Sequence, residues 1–388
     1  MPIVKCPSPF TADEYRSRIA RVHQAMAETG ADCMLVTDAS NICYLSGYGG
    51  DSSYIAQALV VFADEEDPYI ILRRQDAPAA VYMTYMANDR VIGYPERFIG
   101  DSHVSGFDFI FDWLRGRPSV RGVALEFDAM SGSTLDTIRA RQGGFKLLNL
   151  SGAVVRHRLV KSPAEIAVMR QASLITDAAM HRVVEVYKPG VRECDAAAEV
   201  VKTLIRGTEQ FGGDRGFIPN IPGGPQTGAP HLNWSDEPIK AGTHYNPEFA
   251  GVRHRYAVGL MRTVSIGKPT EKLNRLHDYM IAGANSALDK ARPGATTGQV
   301  AQAFCNEVAK GGYLKDSRVG YPLGIDWLET SCSLRTDDPT VLEPGMTFHL
   351  MMGMWIEEDF GAVLSESFAV TEGACEVFSK VPRALLVA

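Results

Sequence analysis

The sequence predicts an α/β (α+β) chain of two domains, the second assembled from two related halves. Three observations carry this. Strand and helix signals alternate between residues 12 and 127. A charged junction, RHRLVKSP (156–163), ends in Ser162-Pro163, the signature of a helix start. Beyond it, KPGVRECDAAAEVVKTL (188–204) is echoed by RPGATTGQVAQAFCNEV (292–308). The domains so delimited span 1–157 and 158–388.

Residues 12–29 (ADEYRSRIARVHQAMAET) set Tyr15, Ile19, Val22 and Met26 at helical spacing, and Gly30 stops that helix. CMLVTD (33–38) reads as a buried strand and NICYLSGYGGDSS (41–53) as a turn-rich loop. ALVVFA (58–63), YIILR (69–73) and GVALEF (122–127) read as further strands, with a helix at GFDFIFDWLR (106–115). The helix begun at Pro163 carries Ile166, Met169, Ala172 and Ile175 on one stripe and ends before Pro189-Gly190. Pro189 and Pro293 lie 104 residues apart, each between a long helix and an Ala-rich one, the pattern of a duplicated unit. Such halves often leave a polar cleft where their sheets meet. LEPGMTFHLMMGMW (342–355) and GAVLSESFAVTEGA (361–374) form an antiparallel strand pair joined by IEEDF. Alternation puts Phe348, Leu350 and Met352 on one face, His349 and Met351 on the other, and Glu366 with Leu364 and Phe368.

A net charge of −7 without a basic cluster argues against nucleic acid or an anionic membrane as partner. No apolar run approaches the ~18–20 residues of a membrane span. The opening MPIVKCPSPFTADEY has neither an apolar signal core nor an Arg-rich presequence, so a cytoplasmic location is expected. The seven cysteines, with no CxxC pair, read as buried reduced thiols.

No HExxH, CxxC, GxxxxGK[ST] or GxGxxG motif occurs. Glu366, a carboxylate among apolar strand residues, must be paired or functional. THYNPEFAGVRHRYAVGLMRTVSIG (243–267) reads as a hairpin whose turn holds Arg253, His254 and Arg255 and whose first strand holds Glu248. The Gly- and Pro-rich stretch 212–236 contains His231 and is long for a loop inside a compact domain, which often marks function. From residues alone the chain reads as an enzyme with His231, Glu248 and Glu366 as its candidate groups.

The order of motifs resembles the creatinase / aminopeptidase P / methionine aminopeptidase superfamily, over essentially the whole chain. RHRLVKSPAEIAVMRQA (156–172), GAPHLNW (228–234), MRTVSIGKP (261–269), TVLEPGM (340–346) and SESFAVTEG (365–373) match that family's landmarks in order. The resemblance implies a creatinase-type N-terminal α/β domain followed by a pita-bread domain with duplicated, pseudo-twofold halves. It also implies a homodimer in which GYGGDSSY (47–54), with Tyr48 and Asp51, approaches the partner's cleft and contacts substrate.

Metal-dependent members hold two ions with two Asp, a His and two Glu. Those positions fall here on Glu248, Gly259, Tyr321, Met351 and Glu366, so the resemblance points to the metal-free branch, without cofactor. Creatinases carry Glu immediately before the Arg-Thr pair, where this chain has Met261. The look of PEFAGVRHRY, DSRVGYPLG (316–324) and KVPRALLV (380–387) is closer to ectoine hydrolases. The implied reaction opens a small-molecule cyclic amidine to an N-acetyl diamino acid, with Glu248 as nucleophile, His231 as proton shuttle and Glu366 holding the amidinium or orienting water. Tyr321 and His349 are expected at the substrate. A guanidino-acid amidinohydrolase and a catalytically silent binding module are the alternatives.

Overall fold

A computed structural model describes residues 4–50, 52–100 and 103–388. The chain divides into two compact units, Met1–Arg158 and Leu159–Ala388. Asp51, expected at the substrate, lies outside the described residues.

The N-terminal unit runs α1 (Ala12–Thr29), β1 (Cys33–Val36), α2 (Ala39–Ser46), β2 (Ala58–Phe62), β3 (Tyr69–Arg73), α3 (Ala77–Met83), β4 (Val91–Tyr94), α4 (Gly106–Arg115), β5 (Gly122–Leu125), α5 (Gly132–Arg141), β6 (Lys146–Asn149) and α6 (Ala153–Arg158). Its six strands lie in the order β4-β3-β2-β1-β5-β6. The apolar stripe of α1 is buried, and Gly30 ends the helix in the left-handed region at φ 68°. The stretch from Asn41, expected as loop, is instead helical as far as Ser46. The Asp38 carboxylate accepts from the Asn41 N–H at one end and left-handed Gly47 closes the other. Ser40–Ser46 are all buried, so packing and two good caps outweigh a composition that favours turns. The cysteines are free, but only Cys33 and Cys43 are buried, and Cys6 is exposed.

The C-terminal unit runs α7 (Pro163–Val186), α8 (Glu193–Arg206), β7 (His244–Tyr245), β8 (Glu248–Arg253), β9 (Tyr256–Met261), β10 (Val264–Ser265), α9 (Glu271–Lys290), α10 (Thr297–Lys310), β11 (Gly320–Pro322), β12 (Thr347–Met351), β13 (Met354–Glu357), β14 (Phe360–Ala362), β15 (Ser365–Ala369), β16 (Glu376–Val377) and β17 (Leu386–Val387). At the start of α7 the Ser162 hydroxyl accepts from the Glu165 N–H and the Glu165 carboxylate accepts from the Ser162 N–H. No helix among the described residues is long and apolar enough to cross a membrane.

Two helix pairs each cover a strand pair. Ile175, Met180 and Val200 of α7–α8 pack on Phe249 and Leu260 of the β8–β9 hairpin. Met280, Ala284 and Phe304 of α9–α10 pack on Phe348, Leu350 and Phe368 of β12 and β15. The sequence echo has a backbone counterpart. Gly190 and Gly294 are both left-handed, at φ 88° and 83°. Their N–H groups donate to Ile239 and Leu342 respectively. Two residues on, Arg192 bridges to Pro238 and Thr296 to Val341. The halves join where the Met261 N–H donates to Ser365 Oγ and Ser367 Oγ donates to the Gly259 carbonyl, both at 2.7 Å.

Register settles the orientation of Glu366. It pairs with Leu350, while Ser365 pairs with Met351 and Ser367 with His349. Glu366 therefore shares the α9–α10 side with Leu350 and Phe368, and the residue that faces the same side as Met351 is Ser365. Its Oε1 accepts from Arg262 Nη2 at 2.8 Å and from Arg383 Nε at 2.9 Å, with Arg262 0% and Glu366 2% exposed. The expectation that Glu366 acts at the substrate is thus corrected: its carboxylate is the counter-ion of a buried arginine. Removing one partner of such a pair strands the other charge, at a cost of about 3–5 kcal/mol. Glu366→Leu is expected to lower unfolding stability by about that amount in urea at neutral pH. A variant that keeps wild-type stability but loses turnover would return Glu366 to the catalytic group.

Candidate active site

Within the C-terminal unit a cavity of about 420 Å³ has apolar walls from Phe217, Ile218, Phe249 and Trp327, and polar ones from Asn220, His231 and Glu248. The stretch between α8 and β7 supplies four of these residues. It is held on β8 by a backbone bridge in which Asn220 and Glu248 exchange N–H···O bonds of 2.9 and 2.8 Å. His231 follows Pro230 and adopts φ 58°, a left-handed conformation uncommon outside glycine. Its side chain is exposed, and it touches both the cavity and a narrower crevice formed with Asn246, Met261 and Trp355.

Glu248 is the one carboxylate on the cavity wall, and it is 9% exposed. Burial disfavours its charged form and pushes its pKa up to about 7, against a smaller opposing effect of the Asn220 side-chain hydrogen bond. A carboxyl poised this way ionises readily once a cation enters.

Behind Trp327 the rings of Tyr321 and His349 complete an aromatic cluster. Trp327 lies 5.3 Å from His349 and Tyr321 lies 5.6 Å from it, both edge-on. Trp327 Nε1 donates to the Tyr321 hydroxyl at 2.6 Å. Burial, followed by the nearby Glu248, raises the Tyr321 pKa, so the phenol stays protonated. His349 is fully buried and joined to Ser365 Oγ at 2.8 Å, and burial takes its pKa down to about 3. It is a neutral ring at any working pH, not an acid–base group. A Cβ on Gly259 would stand 3.0 Å from Trp327 and 3.2 Å from His349, so these rings fill the space an acidic side chain there would need. The loop bearing Trp327 is pinned by Glu329, which pairs with Lys161 at 2.8 Å where both side chains are 1% exposed.

The structure therefore brings His231 and Glu248 to one cavity, with Tyr321 and His349 forming its backing. It sends Glu366 to the far face of β12 and β15. Tyr48, expected at the substrate, is instead 2% exposed inside the N-terminal unit, where a Cβ on Gly50 would collide with its ring. Sequence reasoning missed Phe217, Asn220 and Trp327. The unusual length of the 212–236 stretch pointed to the first two as a region, whereas nothing in IDWLET marks Trp327.

The positions that the resemblance matches to metal ligands offer a poor donor set: the Glu248 carboxylate, no side chain at Gly259, a protonated phenol at Tyr321, the Met351 thioether, and Glu366, whose carboxylate accepts from Arg262 and Arg383. Among the described residues no group of three His, Cys, Asp or Glu could hold a metal ion. The residues present do not fit a two-metal centre.

Residues 167–372 match metallopeptidase family M24, and residues 18–160 match the creatinase/prolidase N-terminal domain. The chain is 43% identical over the full length of both chains to an "uncharacterized hydrolase/peptidase y4tL" of Sinorhizobium fredii. It is 33% identical to an ectoine hydrolase of Halomonas elongata, covering 99% of this chain and 100% of that one. Among solved structures, a prolidase from Thermococcus sibiricus superposes with a TM-score of 0.84 at 20% identity, covering 96% of this chain and 99% of the other. An Xaa-Pro dipeptidase from Bacillus anthracis gives 0.82 at 20%, covering 96% and 100%. At that identity the likeness speaks for a shared pita-bread fold. The chain is a hydrolase-family protein that belongs to metallopeptidase family M24, with a creatinase/prolidase N-terminal domain ahead of the M24 domain.

Proposed function

We propose that this protein is a metal-independent hydrolase that opens the ring of a cyclic amidine acid, ectoine or a close analogue, through a carboxylate nucleophile. The observation that carries the reading is Glu248, a single buried carboxylate with its pKa pushed up to about 7, on the wall of a cavity whose other walls are Phe217, Ile218, Phe249 and Trp327 with Asn220 and His231. A flat delocalised cation matches such a site: the rings accept its faces and Glu248 supplies the opposite charge in a dry setting. The ectoine hydrolase similarity over the full chain supports the same substrate class. Peptide hydrolysis of the prolidase kind fits less well, because the donor set is wrong for two metals.

Chemically, a Glu248 oxygen adds to the amidinium carbon and neutralises both charges. One ring C–N bond then breaks as a proton passes to the departing nitrogen. Water next displaces the carboxylate from the same carbon, leaving an amide on one nitrogen and a free amine on the other. His231, exposed at the cavity mouth, is placed to give and take these protons. The Tyr321 phenol accepts from Trp327, which leaves its own proton to donate toward the reacting groups.

Glu248→Gln is expected to reduce turnover of ectoine by at least about 10³-fold, as loss of a nucleophile does. Rapid quenching and mass spectrometry of the wild type should place substrate on a peptide containing Glu248. A Glu248→Gln enzyme near wild-type turnover would remove the mechanism.

The pH behaviour follows from the raised pKa. The folded state binds the Glu248 proton more tightly than the unfolded chain. Its stabilising effect is therefore complete below the ordinary value of 4.5 and lost as pH rises toward about 7. Glu248→Gln should accordingly be more stable than wild type at pH 8, by up to about 3 kcal/mol, with the gap closing below pH 4.5. In the wild type, kcat/KM should rise with pH and level off above about 7.

Metal analysis of the purified protein is expected to find far less than one equivalent of Mn, Co, Zn or Fe, and dialysis against EDTA should leave ectoine turnover intact. Stoichiometric metal with chelator-sensitive turnover would overturn metal independence.

A further inference from the structure

The cavity holds a carboxylate for a cation but no Lys or Arg for an anion: its lining is Glu248, Asn220, His231 and apolar side chains. An amidine acid seated there on Glu248 alone would bring two carboxylates and one cation together, beside a Glu248 that is itself 9% exposed. Leaving a carboxylate unpaired in such a place is costly. A substrate of this kind therefore needs a cationic partner beside the cavity.

One guanidinium is connected to the cavity wall through the aromatic cluster. Arg318 lies two residues before β11, is exposed, and stacks with its Cζ 4.7 Å from the Tyr321 ring centroid. Among the described residues Arg318 has no ion-pair partner, so its in-plane N–H groups stay open while the aromatic face fixes its position. Tyr321 itself bonds to Trp327, a wall of the cavity. The guanidinium is thus tied to the wall of the Glu248 cavity through Tyr321 and Trp327.

We infer that Arg318 is the carboxylate anchor of the substrate, and that the site selects small cyclic zwitterions with a cation for Glu248 and an anion for Arg318. This rests on the amidine-hydrolase reading and adds the group that decides which amidines are taken. With Arg318 engaged, the bound complex pairs every charge: Glu248 with the amidinium, and the guanidinium with the carboxylate, in the forked geometry for which arginine is suited. The stack on Tyr321 also limits the side-chain entropy lost when the carboxylate arrives.

The test compares ectoine with its decarboxylated cyclic amidine on the full-length protein, using wild type, Arg318→Gln and Arg318→Lys. Wild type is expected to favour ectoine. Arg318→Gln should raise the KM for ectoine by about 10- to 100-fold, the range of a charge-assisted hydrogen bond, with kcat little changed. The KM for the decarboxylated compound should not move, and Arg318→Lys should recover part of the loss. If Arg318→Gln affects both compounds alike, or neither, the anchor assignment falls while the hydrolase reading stands. If the wild type opens neither compound, the hydrolase reading falls and takes the assignment with it.

Discussion

The C-terminal unit depends on one buried guanidinium. Arg262, 0% exposed, has five N–H groups and each finds an acceptor: Pro382, Met261, Ser365 and Val381 carbonyls and the Glu366 carboxylate. These acceptors belong to the end of β9, to β15 and to the segment before β17. One side chain thereby ties the first half of the duplicated domain to the second and to the chain's last strand. Such a group tolerates no partial satisfaction, because a buried cation without its counter-ion is far more costly than the pair itself. Glu366 is committed to that task, on the face of β12 and β15 that it shares with Leu350 and Phe368.

With this anchor in place, the Gly259, His349 and Ser365 side of the strands is free to be something other than a metal cradle. Glycine at 259 removes a side chain, and Trp327 and His349 move into the space. His349 is held neutral by burial and steadied by Ser365. The polar centre expected of the fold becomes an aromatic box with one acid. Burial in this enclosure raises the pKa of Glu248. In the proposed reaction, a cation entering the box would restore the charge of Glu248 and be held by it in turn.

The solved relatives show how little of this the fold dictates. A prolidase and an Xaa-Pro dipeptidase superpose on 96% of the chain at about one residue in five identical, so the fold persists through extensive exchange of side chains. The cleft-facing side chains are separate from what holds the strands in place. Exchanging them leaves the scaffold intact because the cores under α7–α8 and α9–α10 lie on the opposite faces of the same strands.

Much of the scaffold was written locally. The stripe of α1 and the capping box at Ser162 are short-range patterns that need no distant partner, and the Pro-Gly echo at Gly190 and Gly294 repeats one local turn. Glu248 and His231 could be named from sequence, because a family landmark accompanies each. The helix at Ala39–Ser46 could not, since its composition favours turns and burial has to add to the Asp38 and Gly47 caps to make it helical. Trp327 could not either, as its role comes from a loop fixed by Lys161, a residue 168 positions away through Glu329. Glu366 shows the limit most plainly. Strand alternation correctly grouped it with Leu364 and Phe368, but alternation defines two faces without saying which one the cleft occupies. That was decided by helices α9 and α10 covering one face and by Arg262 reaching the carboxylate there, a choice made by packing between distant segments.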